Sequence, residues 1–113
     1  SLPIDHVVDG VYISGWRATN HTDELRQAGI THVLKLYEDI PYFPDDFSTF
    51  ENPLDDGVFV PADVMRRGVQ FITEQVEAGN RVLVTSRPYG LNEPQRQRLG
   101  LPHGAGPTDT IPP

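Results

Sequence analysis

The 113-residue chain is long enough for one small domain, and its 37% hydrophobic and 22% charged residues are typical of a globular protein. Its net charge of −7 argues against nucleic acid or an anionic membrane as the main partner, because either would require a basic surface. The absence of cysteine excludes disulfides, cysteine metal sites and thiol catalysis, and the sequence shows neither a bilayer-spanning apolar run nor a signal peptide.

The N-terminal part of the chain predicts a β-hairpin followed by a short helix. Two runs with β propensity lie within residues 4–14, on either side of Asp9-Gly10, a pair that favours a tight hairpin turn. After them, Thr19 or Asn20 can cap a helix of about two turns, which Gly29 would end.

The middle of the chain predicts a buried strand and then a long irregular segment. Residues 30–36 are too apolar for a surface strand and fit a central position in a sheet. Residues 37–60 are rich in proline and acidic residues, and we expect only a brief edge strand, within residues 50–54. The aromatic residues of this segment are predicted to pack as a lid over the sheet edge; they are Tyr42, Phe43, Phe47 and Phe50.

The main helix is predicted over residues 61–78, with Pro61 at its first position and Gly79 at its end. Apolar residues at spacings of four, three and four form a stripe that would face the sheet: Met65, Val69, Ile72 and Val76. A second buried strand, 82–84, opens into a polar loop. The alternation of strands and helices predicts an α/β fold with a central, mostly parallel sheet flanked by helices.

The end of the chain differs in character from the rest. Residues 93–113 show neither helical nor strand periodicity and are interrupted repeatedly by glycine and proline. We therefore predict a structured domain over residues 1–92 and an irregular tail over residues 93–113. A frameshift or a genuine truncation would each explain the change in composition, and a chain that starts with Ser1 is consistent with a partial sequence.

The order of short motifs along the chain is more informative than any one of them. In order they are Val11-Tyr12-Ile13-Ser14-Gly15, Ala28-Gly29-Ile30-Thr31-His32-Val33-Leu34, Pro53-Leu54-Asp55-Asp56, Phe71-Ile72 and Arg81-Val82-Leu83-Val84. Over about residues 7–86 this order resembles the dual-specificity branch of the protein tyrosine phosphatases. In that family the last strand leads into a loop of pattern cysteine, five residues, arginine. The cysteine thiolate attacks phosphorus, and an aspartate from another loop protonates the leaving oxygen.

The resemblance implies a set of site residues. Ser86 stands at the position of the nucleophilic cysteine, and Asp55 stands at that of the general acid, with Asp56 as its alternative. Gly90 and Asn92 fall in the phosphate-binding loop, but Gly90 comes one place late and Asn92 replaces the arginine. Because a serine hydroxyl is not ionised at neutral pH, the attack on phosphorus should fail.

Two further departures from the family pattern concern the charge and the length of the chain. Arg87 directly follows Ser86, so its side chain is expected to point away from the phosphate loop. Allowing one extra residue in the loop would place Glu93 at the arginine position, where it would repel phosphate. The helices that follow the loop in the family have no counterpart in the sequence, which ends in the irregular tail.

Three functions remain open. The first is a dual-specificity phosphatase-like domain, a hydrolase by descent that is inactive as written. The second is a non-catalytic module that binds phosphoesters, and the third is a rhodanese-like domain. We expect a cytoplasmic monomer whose partner is a phosphorylated protein or a small phosphoester, without nucleic acid, membrane or cofactor. No metal is expected, because ligand spacing is missing from the histidines, which are His6, His21, His32 and His103.

Overall fold

The computed structural model describes residues 2–54 and 61–87. The predicted hairpin is confirmed, since β1, Asp5–Val8, pairs antiparallel with β2, Val11–Gly15. Gly10 in its turn has a φ of 80°, in the left-handed region that glycine occupies without steric cost. The other strands are β3, Ile30–Lys35, β4, Ser48–Glu51, and β5, Arg81–Ser86.

In the described part of the chain, five strands form one sheet in the order β1-β2-β5-β3-β4. The pairs β2–β5, β5–β3 and β3–β4 are parallel and the pair β1–β2 is antiparallel, which confirms the predicted mostly parallel α/β sheet. β5 is the central strand, and its Val82 and Leu83 are fully buried, as in a strand covered on both faces. The carboxyl ends of the parallel strands meet at one edge of the sheet, where ligands bind in open α/β folds.

The edge strand β4 begins earlier and ends earlier than predicted. It stops at Glu51, the last residue of β4 that is paired in register with β3, opposite Lys35. Beyond the strand, the backbone N–H of Asn52 donates to the carbonyl of Lys35 at 2.8 Å, and that of Leu54 donates to the carbonyl of Leu36 at 3.2 Å.

One face of the sheet is covered by a 3-10 helix, Trp16–Asn20, and by α1, Thr22–Gln27. The start of α1 corrects the predicted cap. His21 precedes the helix without a capping hydrogen bond from its side chain, and the hydroxyl of Thr19 donates to the carbonyl of Trp16 instead. Neither Thr19 nor Asn20 caps α1, because the 3-10 turn already includes both residues and delays the helix. Gly29, with a φ of 79°, follows the end of α1 as predicted.

The prediction of an aromatic lid over the sheet edge is wrong for Phe43 and Phe47, which belong to the core on the α1 face. Phe43 and Phe47 are buried in this core beside Leu25, and their rings meet edge to face with centroids 6.0 Å apart. A helix as short as α1 leaves part of β3 uncovered, so these rings complete the core rather than cover its edge. Tyr42, from the same segment, is exposed.

The opposite face of the sheet is covered by α2, Ala62–Glu77. Val33 belongs to the core on the α1 face, whereas its neighbour Leu34 lies next to Gly68 of α2. Because successive residues of a strand point to opposite faces, the two helices lie on opposite sides of the sheet. Within residues 2–54 and 61–87, no helix is both long enough and apolar enough to span a bilayer.

The side of α2 that faces the sheet differs from the prediction in its first half. Met65 and Val69 are 56% and 59% exposed, so they do not belong to the buried stripe. Gly68 is buried instead, and the ring of Phe71 packs against Phe50 of β4 with centroids 5.3 Å apart. Without a side chain at position 68 the helix can approach the sheet closely, and this orientation turns Met65 and Val69 outward.

Candidate functional site

Ser86 is the last residue of the central strand β5 and lies half-buried at the carboxyl edge of the sheet. Its partner in register on β2 is Gly15. A Cβ at Gly15 would meet no heavy atom of the described residues within 4 Å. Among the described residues, the space next to Gly15, on the β2 side of Ser86, is therefore unfilled.

The segment 36–42, here called the 36–42 loop, borders Ser86 from the β3 side. The backbone N–H of Leu36 donates to the carbonyl of Thr85 at 2.8 Å. On the other side of Ser86, Nη1 of Arg87 donates to the carbonyl of Ile40 at 2.9 Å. The side chain of Arg87 thus turns towards this loop. Its orientation relative to the phosphate loop stays a prediction, because that loop lies outside the described residues. Both neighbours of Ser86 are attached to the 36–42 loop.

Lys35 lies at the base of this loop, at the end of β3, and is only 1% exposed. Its Nζ donates to Oε2 of Glu51 at 2.8 Å and also to the carbonyl of Asp39. The same Nζ lies 4.5 Å from the ring centre of Tyr37 and 5.0 Å from that of Tyr42. A buried ammonium without partners would be strongly destabilising. The 36–42 loop supplies a carbonyl and two aromatic rings as partners, and the edge strand β4 supplies a carboxylate.

Two titratable groups near Lys35, the Glu51 carboxyl and the Tyr37 phenol, each keep one protonation state at neutral pH. The hydrogen bond from Lys35 lowers the pKa of the Glu51 carboxyl below its usual range, which keeps this group ionised. Burial raises the pKa of the Tyr37 phenol, which keeps it protonated. The phenol donates to the carbonyl of Pro41 at 2.8 Å. Hydrogen bonds thus fix this loop at both of its ends.

Asn52 forms a second connection at the edge of the sheet, between β4 and α2. Its side chain is buried, and Nδ2 donates to the carbonyl of Val64 at 2.8 Å. The bond joins the two sides of the segment 55–60. Asp55, the predicted general acid, and its alternative Asp56 belong to that segment and lie outside the described residues.

The structure thus describes one member of the predicted site. Ser86 is described, whereas Gly90 and Asn92 of the predicted phosphate loop lie outside the described residues. Two buried polar atoms at this edge have no hydrogen-bond partner among the described residues, namely Oγ1 of Thr85 and Nε of Arg87. Such atoms are rare in folded proteins, and both belong to residues adjacent to Ser86. No group of three or more metal-ligating side chains is found within residues 2–54 and 61–87.

Reasoning from the sequence missed Lys35, Glu51 and Asn52. A signal for Lys35 was present, because a lysine inside the apolar run 30–36 conflicts with a buried strand unless the fold gives it a partner. The identity of that partner could not be read from the sequence, since Glu51 is sixteen positions further along the chain.

Several solved structures with a similar fold are phosphatases. A mouse putative dual specificity phosphatase complexed with zinc tungstate has a TM-score of 0.67 and 22% identity, covering 76% of this chain and 55% of its own. Human DUSP28 has a TM-score of 0.62 and 22% identity, covering 74% and 58%. DUSP15 has a TM-score of 0.66 and 21% identity, covering 95% and 70%. No protein-family model matches the sequence, and no curated protein is significantly similar to it.

These similarities establish the fold, which is that of the dual-specificity and tyrosine phosphatases. The order of motifs in the sequence predicted this fold, and the prediction is confirmed. The chain spans between 55% and 59% of the length of the mouse putative dual specificity phosphatase and of the human DUSP28 structures that it matches.

Proposed function

Because the chain has a phosphatase-like fold, we propose that it recognises phosphate monoesters at the carboxyl edge of its sheet and does not hydrolyse them. The observation that carries the proposal is the position of Ser86 at the end of the central strand, half-buried, with the space next to Gly15 on its β2 side unfilled by any described residue. By the order of the motifs, the family's cysteine would stand here. The neighbouring residues Thr85 and Arg87 offer no general base to activate a serine hydroxyl.

The loss of turnover follows from the chemistry of the first step. Attack on phosphorus needs an ionised nucleophile, and a serine hydroxyl stays protonated where a cysteine at this place would be a thiolate. Asp55 or Asp56 remains our candidate for the acid that would protonate the leaving oxygen, but that step has no use without attack. The proposed catalytic pair, Ser86 and Asp55, is therefore inactive in this chain.

Binding of phosphate is expected to survive in weakened form. We propose that Gly90 and Asn92 belong to the segment that contacts the phosphate oxygens, with backbone N–H groups as the main donors. An asparagine in place of an arginine removes a charged, two-pronged donor, so the affinity should be low. The substrate class that we propose is a phosphorylated protein or a small phosphoester, bound by a cytoplasmic monomer.

Turnover of para-nitrophenyl phosphate tests the proposed inactivity. We expect no hydrolysis by the natural chain, and none by Ser86→Cys, because the loop still lacks its arginine. Ser86→Ala serves as the control. Hydrolysis by the natural chain that disappears in Ser86→Ala would show that the serine is a working nucleophile and would overturn the proposal. Hydrolysis restored by Ser86→Cys alone would show that Asn92 does not prevent productive phosphate binding.

Direct titration distinguishes the proposed phosphoester-binding domain from a domain that binds no ligand. Tungstate is a tetrahedral oxyanion, and the mouse neighbour is complexed with zinc tungstate, so tungstate and inorganic phosphate are suitable probes. Saturable chemical-shift changes at Ser86 and Arg87 in NMR spectra would support phosphate recognition at this edge. The rhodanese-like alternative has no comparable support, whereas DUSP15, human DUSP28 and the mouse phosphatase resemble the chain in fold.

A further inference from the structure

On the face of the sheet that carries α2, a strip of apolar side chains lies open beside β2. We propose that residues 88–113, here called the C-terminal segment, fold back over this strip and bury Leu99 and Leu101 against it. The open strip consists of Ile13 of β2, Val84 of β5, and Met65 and Val69 of α2. This inference goes beyond the proposed function and does not depend on a phosphate site.

The floor of the open strip is a row of side chains whose burial decreases across the sheet. Leu34, Val84 and Ile13 are neighbours in register on β3, β5 and β2, so they point to the same face. Leu34 lies next to Gly68 of α2 and is buried. Val84 is half-buried and Ile13 is 45% exposed. Because α2 packs mainly against β3 and β5, the β2 end of this row stays uncovered by the helix.

The wall of the open strip is the flank of α2 that faces β2. Phe71 lies on the opposite flank, where its ring packs against the edge strand β4. With 3.6 residues per turn, Met65, Val69 and Val76 lie together on the flank away from Phe71. A Cβ at Gly10, in the turn between β1 and β2, would lie 3.2 Å from Cγ2 of Val76, which places this flank on the β2 side. Met65 and Val69 are therefore exposed beside an uncovered part of the sheet.

The C-terminal segment starts close to the open strip. It follows Arg87 directly after β5, the strand that carries Val84. α2 begins at the same edge of the sheet, because the bond from Asn52 to the carbonyl of Val64 joins its first turn to the end of β4. Leu99 lies twelve positions after Arg87. At about 3.3 Å per residue these positions span up to about 40 Å, whereas α2 is only about 24 Å long, so Leu99 can reach the whole strip.

The sequence of the segment suits a narrow apolar strip. Leu99 and Leu101 are two positions apart, and Leu101 precedes Pro102, which favours extended backbone before the proline. Residues two apart in extended backbone point to the same side, so both leucines can contact the strip together. Burial of two leucines against four apolar side chains supplies the driving force for the contact.

Charge favours the C-terminal segment over a second copy of the chain as the occupant. The segment contains two arginines and two acidic residues, so its charges balance; they are Arg96, Arg98, Glu93 and Asp109. The net charge of −7 therefore belongs to residues 1–87. A second copy docked through residues 1–87 would bring two strongly negative surfaces together, whereas the neutral segment meets no such repulsion.

Oxidation of Met65 by hydrogen peroxide measures whether the open strip is covered. Peroxide transfers one oxygen atom to the sulphur and leaves water, and the rate follows the exposure of the side chain. Met65 is the only methionine and the chain lacks cysteine, so mass spectrometry assigns the added oxygen to one sulphur. The full natural chain is compared with the double variant Leu99→Gln/Leu101→Gln. Ile111→Gln is the matched control, because it removes an apolar residue of the same segment outside the leucine pair.

We expect Met65 to be oxidised slowly in the natural chain and in Ile111→Gln, and faster in the double variant. A segment that is docked in about nine-tenths of the molecules would slow oxidation roughly tenfold relative to an undocked segment. A spin label on His103→Cys gives a second readout in NMR spectra. It should broaden the methyl signals of Met65 and Ile13 more strongly than those of Leu25, which lies in the core on the opposite face.

Two results would overturn the inference. Equal oxidation rates in the natural chain and the double variant would show that the leucines do not cover the strip. A rate in the natural chain that falls as the protein concentration rises would identify a second copy as the occupant. Neither result bears on phosphate recognition, which the titration with tungstate and inorganic phosphate tests separately.

Discussion

Replacing Gly68 with alanine tests how closely α2 is set against the sheet. A Cβ at this position would lie 3.6 Å from Cδ2 of Leu34, an ordinary contact, but only 3.1 Å from Nδ2 of Asn52. The amide of Asn52 would have to move away from the helix. Asn52 is buried, and both its side chain and its backbone are held by hydrogen bonds. Its Nδ2 donates to the carbonyl of Val64, and its backbone N–H donates to the carbonyl of Lys35.

Two opposing effects set the expected size of the change. Alanine is favoured over glycine inside a helix by about 1 kcal/mol. A buried amide that loses its hydrogen bond costs roughly 1–3 kcal/mol. With the middle of that range, we expect Gly68→Ala to lower the free energy of unfolding by about 1 kcal/mol, which corresponds to a fall in Tm of roughly 4 °C.

Urea unfolding followed by circular dichroism measures this difference, and Asn52→Ala provides the informative background. Once the Asn52 amide is removed, the helical preference of alanine should prevail, and Gly68→Ala should stabilise the chain by about 1 kcal/mol. The sign of the effect should therefore differ between the two backgrounds. The reasoning is refuted if Gly68→Ala stabilises the natural chain, or if it has the same effect with and without Asn52.

Two other changes test the side chains that the structure places differently from the sequence prediction. Met65→Gln should alter the free energy of unfolding by less than about 0.5 kcal/mol, because Met65 is exposed, whereas Phe71→Ala should cost about 2 kcal/mol by removing a partly buried ring. Thermal unfolding of both variants checks this. A large loss of unfolding free energy in Met65→Gln would show that Met65 belongs to the buried stripe after all. Glu51→Gln tests the contact with Lys35 through its pH dependence. The folded pKa of Glu51 lies below its ordinary value of 4.5, so the carboxylate contributes stability that is present above that pH and is lost as the pH falls through the folded pKa. The stability advantage of the natural chain over Glu51→Gln should shrink on acidification below about pH 4.5, and an advantage independent of pH would contradict the ion pair.

The described residues form the framework that surrounds the proposed site. The framework consists of a central strand that ends at Ser86, a loop attached to both neighbours of that residue, and a clamp formed by Asn52 and Val64 on either side of the acidic segment. Under the proposed function, the chemistry would depend on the atom that attacks phosphorus, and in Ser86 that atom is a hydroxyl oxygen. A fold can be kept while the residues that would carry its chemistry differ.

Local features of the fold were readable from the sequence because their causes lie within a few residues. Asp9-Gly10 predicted the hairpin, since a turn with positive φ favours glycine, and Gly29 predicted the end of α1 for the same reason. The apolar runs predicted the two central strands, because a strand covered on both faces needs apolar residues throughout. The order of these elements also predicted the phosphatase-like fold and the place of Ser86 at the end of β5.

Only the tertiary structure decided which side chains meet across the sheet. The helical spacing of Met65 and Val69 was correct for a stripe, but the approach of α2 at Gly68 turned a different side towards the sheet. The prediction that Lys35 belongs to a buried strand was correct, but its partners come from the loop after β3 and from β4. Periodicity specifies how residues are arranged along one element, whereas burial and ion pairing depend on the surface that another element presents to it.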